Sequence, residues 1–261
     1  MSLKTLNDKP EHELSAGARP AGATTEQSAA ANVQRMFDTI APAYDRANHL
    51  LSVGIDRTWW MRTARLFQPI LQNPETVALD LCCGTGDMTM ALLRHRPGTS
   101  TAAPILAVDF SHQMLSLGQK KFAGHNIVPI EADALHLPLA DASVDLVTSA
   151  FGFRNLANYH DGLVEILRVL RPGGQLGILE CNQPEGLTGA IYNLYFRSIL
   201  PKLGGLITGN ESAYNYLNTS VARFPRPPRM IELLSSAGFT NPTWTSYALG
   251  TAGLYRAAKP L

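Results

Sequence analysis

Short apolar runs alternate with amphipathic stretches through the middle of the chain, and this alternation predicts its architecture. Five apolar runs indicate buried strands, at residues 77–81, 105–109, 127–131, 144–149 and 175–180. Apolar positions at helical spacing predict helices at about residues 88–95, 112–122 and 160–170. Ser111 is a natural N-cap of the second of these helices, and a turn at Pro172-Gly173-Gly174 should close the third. Strands that alternate with helices across short turns are typical of a parallel sheet with helices on both faces. Two last strands, near residues 241–247 and 252–259, bring the α/β sheet to seven strands.

The segments outside this sheet are expected to form a tail, a cap and an insertion. Residues 1–30 are rich in small and polar types, which predicts a disordered tail, with order beginning near Ala31. A helix through Val33 and Ile40 should end at Pro42. A second helix at residues 57–71 should turn four side chains inward: Trp59, Trp60, Ala64 and Phe67. The domain would then span residues 31–261, with 31–72 as a helical cap and 187–222 as a helical, aromatic insertion on the substrate side.

Composition narrows the class of protein. The 261 residues are 45% hydrophobic and 16% charged, and the net charge of +1 provides no global field for nucleic acid. Three cysteines, two of them adjacent, do not form a disulfide framework or a zinc spacing, so a cytoplasmic location and no metal site are expected. No run of eighteen apolar residues occurs, so no membrane span is expected.

Candidate ligand-binding residues follow the first three strands. Gly84, Thr85 and Gly86 follow Asp80, and the glycines allow a tight turn close to a ligand. Thr89 stands where a dinucleotide fold has its third glycine, and no phosphate-cradling lysine follows. Asp109 ends the second strand, where Rossmann-type sites bind ribose hydroxyls. Asp133 and Ala134 follow the third strand, where methyltransferases commonly bind the adenine amino group. The set looks like the nucleoside site of class I methyltransferases.

Four longer stretches resemble a more specific family, the quinone-biosynthesis C-methyltransferases, over residues 33–259. They are Phe37-Asp38-Thr39-Ile40-Ala41-Pro42-Ala43-Tyr44-Asp45, Phe151-Gly152-Phe153-Arg154-Asn155, Arg168-Val169-Leu170-Arg171-Pro172-Gly173-Gly174 and Ala213-Tyr214-Asn215-Tyr216-Leu217-Asn218-Thr219-Ser220-Val221. The chain departs from the family pattern at six positions: Ala47, Asp56, Cys82, Ala150, Arg171 and Asn182. The resemblance implies a Rossmann-like class I methyltransferase fold with S-adenosylmethionine as cofactor.

The resemblance also implies an activity and a site. The activity is C-methylation of the ring of a polyprenylated quinol, either demethylmenaquinol or a ubiquinol precursor. Arg154 and Asn155 are the candidate catalytic residues, with Arg154 stabilising a phenolate or steering a water. Tyr44, Asn48 and Tyr216 are candidates for the substrate wall. The apolar substrate implies transient contact with the inner face of the cell membrane, and a homodimer is left open.

Two other functions remain open on the sequence alone. A methyltransferase of a soluble small molecule would share the cofactor loop but not the four longer stretches, and the departures at Asp56 and Asn182 keep it open. A methyltransferase-like binding protein without turnover would be favoured by loss of Asp109 or the loop glycines, all of which are present. A nucleic-acid substrate is not expected, because neither a base pocket of the Asn-Pro-Pro-Tyr type nor a basic stripe occurs.

Overall fold

Seven strands form one sheet, in the order β3-β2-β1-β4-β5-β7-β6, in the computed structural model, which describes residues 17–51, 54–98, 102–184, 189 and 211–261. The strands are β1 (Ala78–Leu81), β2 (Ile105–Asp109), β3 (Ile127–Glu131), β4 (Val144–Ala150), β5 (Leu170–Cys181), β6 (Thr240–Tyr247) and β7 (Ala252–Ala258). β1 to β5 run parallel, and β7 runs antiparallel to both β5 and β6. The predicted Rossmann-like α/β fold is confirmed.

Helices cover both faces of this sheet. The helices are α1 (Glu26–Leu51), α2 (Ile55–Leu66), α3 (Gln68–Leu71), α4 (Asp87–Leu93), α5 (His112–Phe122), α6 (Tyr159–Val169), α7 (Glu211–Arg223) and α8 (Pro227–Ser236), with short 3-10 turns at Phe153–Asn155 and Ala248–Gly250. Ser111 caps α5 as predicted, since its Oγ accepts a hydrogen bond of 3.2 Å from the backbone N of Met114. No helix in the described ranges is long and apolar enough to cross a membrane.

The buried core lies in two layers because successive residues of a strand point to opposite faces. On one face, Leu79 and Val147 pack with the apolar sides of α6 and α8. On the other face, Ala78 and Leu146 pack with residues of α2, α4 and α5. The chain turns in opposite directions after β1 and β4, so a crevice opens at their carboxyl ends, where open α/β sheets bind ligands.

The amino-terminal region departs from the sequence prediction. Order begins before residue 31, because Gly17 and Ala18 hydrogen-bond to the main chain of residues 156–157 and α1 begins at Glu26. The helix also continues through Pro42 to Leu51. A proline removes one backbone hydrogen bond, and here the packing of Ile40 against Met114 of α5 holds the helix in place up to that point.

Two boundaries also differ from prediction. The helix predicted at residues 57–71 divides into two at Phe67. The ring of Phe67 lies 2.5 Å from the ideal Cβ position of Gly177 on β5, so the ring occupies the space that a side chain there would need. The turn predicted at Pro172-Gly173-Gly174 is an outward bulge within β5, because Leu170 already pairs with Val144 before the register shifts. Little of the predicted insertion at 187–222 is described beyond α7.

Candidate active site

The loop after β1 is built around a fully buried carboxylate. Asp80 accepts hydrogen bonds from the hydroxyls of Thr89 on α4, at 2.6 Å, and Thr148 on β4, at 3.3 Å. Burial raises the pKa of Asp80 to about 7 against the opposing effect of these hydrogen bonds. The side chain therefore joins β1 to both neighbouring elements directly beneath the crevice.

The turn itself depends on two close approaches. Gly86 begins α4 with a φ of 88°, and an ideal Cβ there would lie 2.2 Å from the ring of Phe122. An ideal Cβ on Gly152 would lie 2.3 Å from the Cβ of Cys82. Cys82 itself has a φ of 56°, in the left-handed region that favours glycine. The loops after β1 and β4 thus meet with no space for larger residues.

Asp109 presents a carboxylate at the end of β2. Its Oδ2 accepts from the backbone N of Gly84 at 2.8 Å, and its Oδ1 accepts from the backbone N of Ser111 at 2.9 Å. Burial raises the pKa of Asp109 to about 6, and the two backbone bonds oppose that rise. A carboxylate has about four acceptor positions, so acceptor capacity remains for ribose hydroxyls at this position.

Helix α1 closes over the same strand end. Asp38 accepts a hydrogen bond of 2.5 Å from the hydroxyl of Ser111, and the side-chain amide of Gln34 donates to the carbonyl of Phe110 at 2.5 Å. The rings of Phe37 and Phe110 lie 6.5 Å apart. Helix α1 therefore contacts Phe110 and Ser111, the two residues after Asp109, through both polar and aromatic groups.

A buried ion pair lies behind the end of β4. The Nη1 of Arg154 lies 2.8 Å from Oε1 of Glu180 on β5, and both side chains are almost completely buried. The backbone N of Arg154 donates to Oε2 of the same carboxylate at 3.1 Å, and Nη1 also donates to the carbonyl of Phe151. The guanidinium is held in its charged form and in one orientation.

Asn155 and Tyr216 form the next contact around the site. The hydroxyl of Tyr216, on α7, donates to Oδ1 of Asn155 at 3.1 Å. Burial raises the pKa of Tyr216 to about 12 and that of the Cys181 thiol to about 12. Both groups therefore stay protonated at neutral pH.

The loops after β1, β2, β3 and β4 surround one cavity of about 490 Å³. At one end its wall is polar and includes Asp80, Gly84, Thr85, Asp109 and Asp133. The other side is largely apolar and aromatic, with Trp59, Trp60, Phe151 and Leu217 in addition to Arg154 and Asn155. The ring of Trp59 lies 5.8 Å from that of Phe151. The polar end fits a nucleoside, with the Asp109 carboxylate for the ribose, and the apolar side is left for a second molecule.

A model of the ubiE/COQ5 methyltransferase family matches residues 24–259. The chain belongs to this family. It is 44% identical to the demethylmenaquinone methyltransferase of Deinococcus radiodurans over 227 residues, which cover 85% of this chain and 90% of the relative. It is 37% identical to the ubiquinone/menaquinone biosynthesis C-methyltransferase UbiE of Geotalea daltonii over 236 residues, covering 87% and 96%.

Solved structures agree on the fold. A possible histamine N-methyltransferase from Thermotoga maritima superposes with a TM-score of 0.60 at 18% identity, covering 87% of this chain and 99% of that one. The [4+2]-cyclase SpnF gives a TM-score of 0.63 at 18% identity, covering 94% and 99%. Membership of the methyltransferase family makes the protein an S-adenosylmethionine-dependent methyltransferase, as the sequence predicted.

The structure brings most of the sequence-predicted residues to one place. Those on the cavity wall are Asp80, Gly84, Thr85, Asp109, Asp133, Ala134, Arg154 and Asn155. Gly86 shapes the turn, and Tyr216 contacts Asn155 from behind rather than lining the described wall. The side chains of Tyr44 and Asn48 lie outside the described part of the structure.

Sequence reasoning missed the role of Glu180. Its signal was present, because a single acid ending an otherwise apolar run requires a buried partner. The contact of residues 17–19 with the pocket loop was also missed, since the segment has the composition of a tail. Within the described ranges, no group of three or more histidine, cysteine or acidic side chains is placed to hold a metal ion.

Proposed function

We propose that the protein methylates a ring carbon of a polyprenylated quinol, converting demethylmenaquinol to menaquinol or acting on the equivalent ubiquinol precursor. The observation that carries this proposal is one cavity with the ribose-type carboxylate of Asp109 at one end and Arg154 and Asn155 beside an apolar, aromatic wall. A flat apolar ring with polar oxygens matches that second part of the cavity. The names of the relatives, demethylmenaquinone methyltransferase and UbiE, support the same substrate class.

The chemistry requires an electron-rich carbon. S-adenosylmethionine, when bound, supplies a methyl group carried on a sulfonium. A reduced quinol becomes nucleophilic at the ring carbon when a hydroxyl loses its proton, whereas the oxidised quinone has no such electron density. The new carbon–methyl bond would form with an electron pair of the ring as the methyl–sulfur bond breaks and its electrons stay on sulfur. The ring would then recover its pair from the C–H bond as that proton leaves to water. The protein must therefore orient the ring and stabilise negative charge on its oxygen.

Arg154 is the group that stabilises this charge. Its guanidinium cannot act as a base, and Glu180 holds it on the cavity wall in its charged form. A phenolate that develops in a cavity of low dielectric is stabilised by a fixed cation without further reorganisation of the site. Glu180 offsets part of this charge, but Arg154 lines the cavity and Glu180 does not, so the guanidinium is the nearer of the two ions to a bound ring.

Asn155 orients the ring oxygen. Tyr216 donates to the Oδ1 of Asn155, so the Nδ2 of the same side-chain amide is available to donate a hydrogen bond to a ring oxygen. Tyr216 and Cys181 do not serve as bases at neutral pH, since burial raises the pKa of each to about 12. The proposed roles of these residues are thus charge stabilisation by Arg154 and positioning by Asn155.

The test uses methyl-labelled S-adenosylmethionine and a demethylmenaquinone analogue, with the quinone either reduced by dithionite or left oxidised. Mass spectrometry should find one labelled methyl on a ring carbon in the reduced sample alone. Asn155→Ala is the matched variant, expected to bind S-adenosylmethionine normally and to transfer poorly. Transfer to an oxygen or nitrogen, or none with a reduced quinol despite cofactor binding, would contradict the proposal.

The apolar substrate also requires a route from a bilayer, and α2 offers the best face for transient contact. Its exposed residues include Arg57, Arg62 and Arg65, whereas its one acid, Asp56, is buried. Ile55 is 46% exposed at the start of this helix and lines the cavity. A cluster of arginines with an exposed apolar residue beside the cavity is suited to an anionic lipid surface.

A further inference from the structure

A short segment before α1 is bonded to the loop that follows the candidate catalytic residues. The backbone N of Gly17 donates to the carbonyl of Ala157 at 3.2 Å, and the backbone N of Ala18 donates to the carbonyl of Leu156 at 2.7 Å. We call residues 17–19 the strap. The strap lies outside residues 24–259, which the family model matches.

Arg19 adds a side-chain contact to the strap. Its Nη1 donates to the carbonyl of Ala157 at 2.8 Å and to the carbonyl of Ala18 at 2.8 Å. The carbonyl of Ala157 thus accepts from both Gly17 and Arg19. Nη2 of Arg19 lies 3.8 Å from Oε1 of Glu26, and the same oxygen accepts from Asn158 at 3.4 Å. The strap therefore contacts the Ala157 carbonyl directly and is linked to the side chain of Asn158 through Glu26.

The loop beneath the strap forms part of the cavity wall. Leu156 and Ala157 are buried, line the cavity and follow Asn155 directly. Asn158 then caps α6 by accepting from the backbone N of Asp161 at 3.1 Å. The carbonyls of Leu156 and Ala157 receive the strap's donors, so the strap fixes the main chain between Asn155 and α6.

Close packing shows that the strap is fitted to this position. An ideal Cβ on Gly17 would lie 2.0 Å from the carbonyl oxygen of Leu156 and 2.7 Å from that of Ala157. Ala18 is only 2% exposed. Any side chain at position 17 would therefore lift the strap from the loop, which makes this position a sensitive test.

From these contacts we propose that the strap positions Asn155 for the ring, with Arg19 as its positioning residue. This role rests on the proposed function, because Asn155 is placed there as the group that orients the quinol. The strap contacts the substrate side of the cavity, and Asp109 and Gly84 lie at the other end. Loss of the strap should therefore reduce turnover of the quinol while the affinity for S-adenosylmethionine is unchanged.

The experiment compares Gly17→Val, Arg19→Ala and Arg19→Lys in the full chain. Arg35→Ala is the matched control, because Arg35 is an exposed arginine whose bonds, to Asn32 at 2.6 Å and to Ala31, stay within α1. Gly17→Val and Arg19→Ala should lower kcat for the reduced quinol about tenfold or more with an unchanged cofactor Kd. Arg19→Lys should recover part of the loss, and Arg35→Ala should match the unaltered protein.

A second measurement separates this proposal from the proposed function. Hydrogen exchange at the amides of Asn155 and Leu156, which donate to Gly152 and Phe153, should be faster in Gly17→Val than in Arg35→Ala. This readout needs no quinol. Unchanged exchange together with unchanged kcat would overturn the role of the strap, as would equal losses in kcat and cofactor affinity. If neither the unaltered protein nor any variant methylates a quinol, but exchange is still faster in Gly17→Val, the proposed substrate is wrong and the role of the strap in holding the loop stands.

Discussion

Arg154 and Glu180 form an ion pair that is almost completely buried, with 2.8 Å between Nη1 and Oε1. Two ions removed from water are tolerated only when each has its partner, and the backbone N of Arg154 adds a second bond to the same carboxylate. The pair joins β5 to the 3-10 turn at the end of β4, which carries both candidate catalytic residues. Its integrity should therefore affect stability and turnover together.

Glu180→Ala should lower the free energy of unfolding by about 3–5 kcal/mol, because it leaves a buried guanidinium without its partner. Urea denaturation measures this change. Arg229→Ala is the control, since Arg229 and Glu232 form a partly exposed pair on α8 that should contribute less than about 1 kcal/mol. Equal losses in the two variants would show that the buried pair has no special role in stability.

The stability of the protein without cofactor should depend on pH through Asp80. Its pKa is raised from 3.8 to about 7 in the folded state, so the folded state binds this proton more tightly than the unfolded state does. The resulting stabilisation is complete below pH 3.8 and is lost as the pH rises through 7. Between these two pKa values the free energy of unfolding should fall with a slope approaching roughly 1.4 kcal/mol per pH unit, and above the folded-state pKa this contribution stops changing.

Asp80→Asn isolates this effect. The amide cannot ionise, so the variant should show a flatter dependence of its free energy of unfolding on pH between about 4.5 and 7. Urea denaturation across that range compares the two proteins. A slope in Asp80→Asn equal to that of the unaltered protein would assign the pH dependence to other groups.

Much of the fold could be predicted from the sequence because its parallel strands are buried on both faces. The residues of β1 are all buried, and a continuous apolar run of that kind is easily recognised. The capping of α5 by Ser111 depends on a local bond, which sequence also reveals. Both predictions concern interactions between residues that are close in the chain or strongly apolar.

The elements that sequence reasoning missed depend on distant partners. Order in residues 17–19 comes from carbonyls of residues 156–157, far along the chain, and composition gives no sign of them. Pro42 ends many helices, but here α1 continues beyond it. The pairing of Arg154 with Glu180 likewise joins a 3-10 turn to a strand residue 26 positions further along the chain. The acids at the strand ends were predictable because the topology alone brings them together.

Cofactor affinity should depend on Asp109 and on pH. Its pKa is raised to about 6, so protonation below that pH removes acceptor capacity and should weaken binding of S-adenosylmethionine. Asp109→Asn should weaken binding about tenfold to hundredfold at neutral pH, corresponding to roughly 1.5–3 kcal/mol for lost bonds to a charged group. It should also remove most of the pH dependence. Calorimetry at about pH 5.5 and 7.5 measures both effects.

The control for this titration is Asp141→Asn. Asp141 is an exposed acid that pairs with Arg168 away from the cavity wall described above, and its replacement likewise removes one acidic group. Cofactor affinity in Asp141→Asn should follow that of the unaltered protein at both pH values. A fall in affinity as large as that of Asp109→Asn would indicate a general charge effect.

The contact between the loops after β1 and β4 should tolerate no added methyl group. Gly152→Ala would place a Cβ 2.3 Å from the Cβ of Cys82, and neither backbone can move without displacing the cofactor loop. We expect a loss of stability of about 1–3 kcal/mol from overpacking, with weaker cofactor binding. Gly98→Ala is the control, because no described atom beyond its chain neighbours lies within 4 Å of a Cβ there. Thermal unfolding and calorimetry that fail to separate the two variants would contradict the close contact.

Binding to anionic membranes should depend on the exposed arginines of α2. Each arginine near an anionic surface contributes about 1 kcal/mol, so Arg57→Glu with Arg65→Glu should reduce partitioning onto phosphatidylglycerol vesicles about thirtyfold or more. Arg229→Glu carries the same kind of change on α8, which packs on the opposite face of the sheet, and should bind normally. Vesicle flotation measures the bound fraction.

Because Arg57 and Arg65 are exposed, the double variant should methylate a short-chain, water-soluble quinol at an undiminished rate and lose activity only on quinol embedded in vesicles. Equal partitioning of the α2 and α8 variants would place the membrane contact on another face.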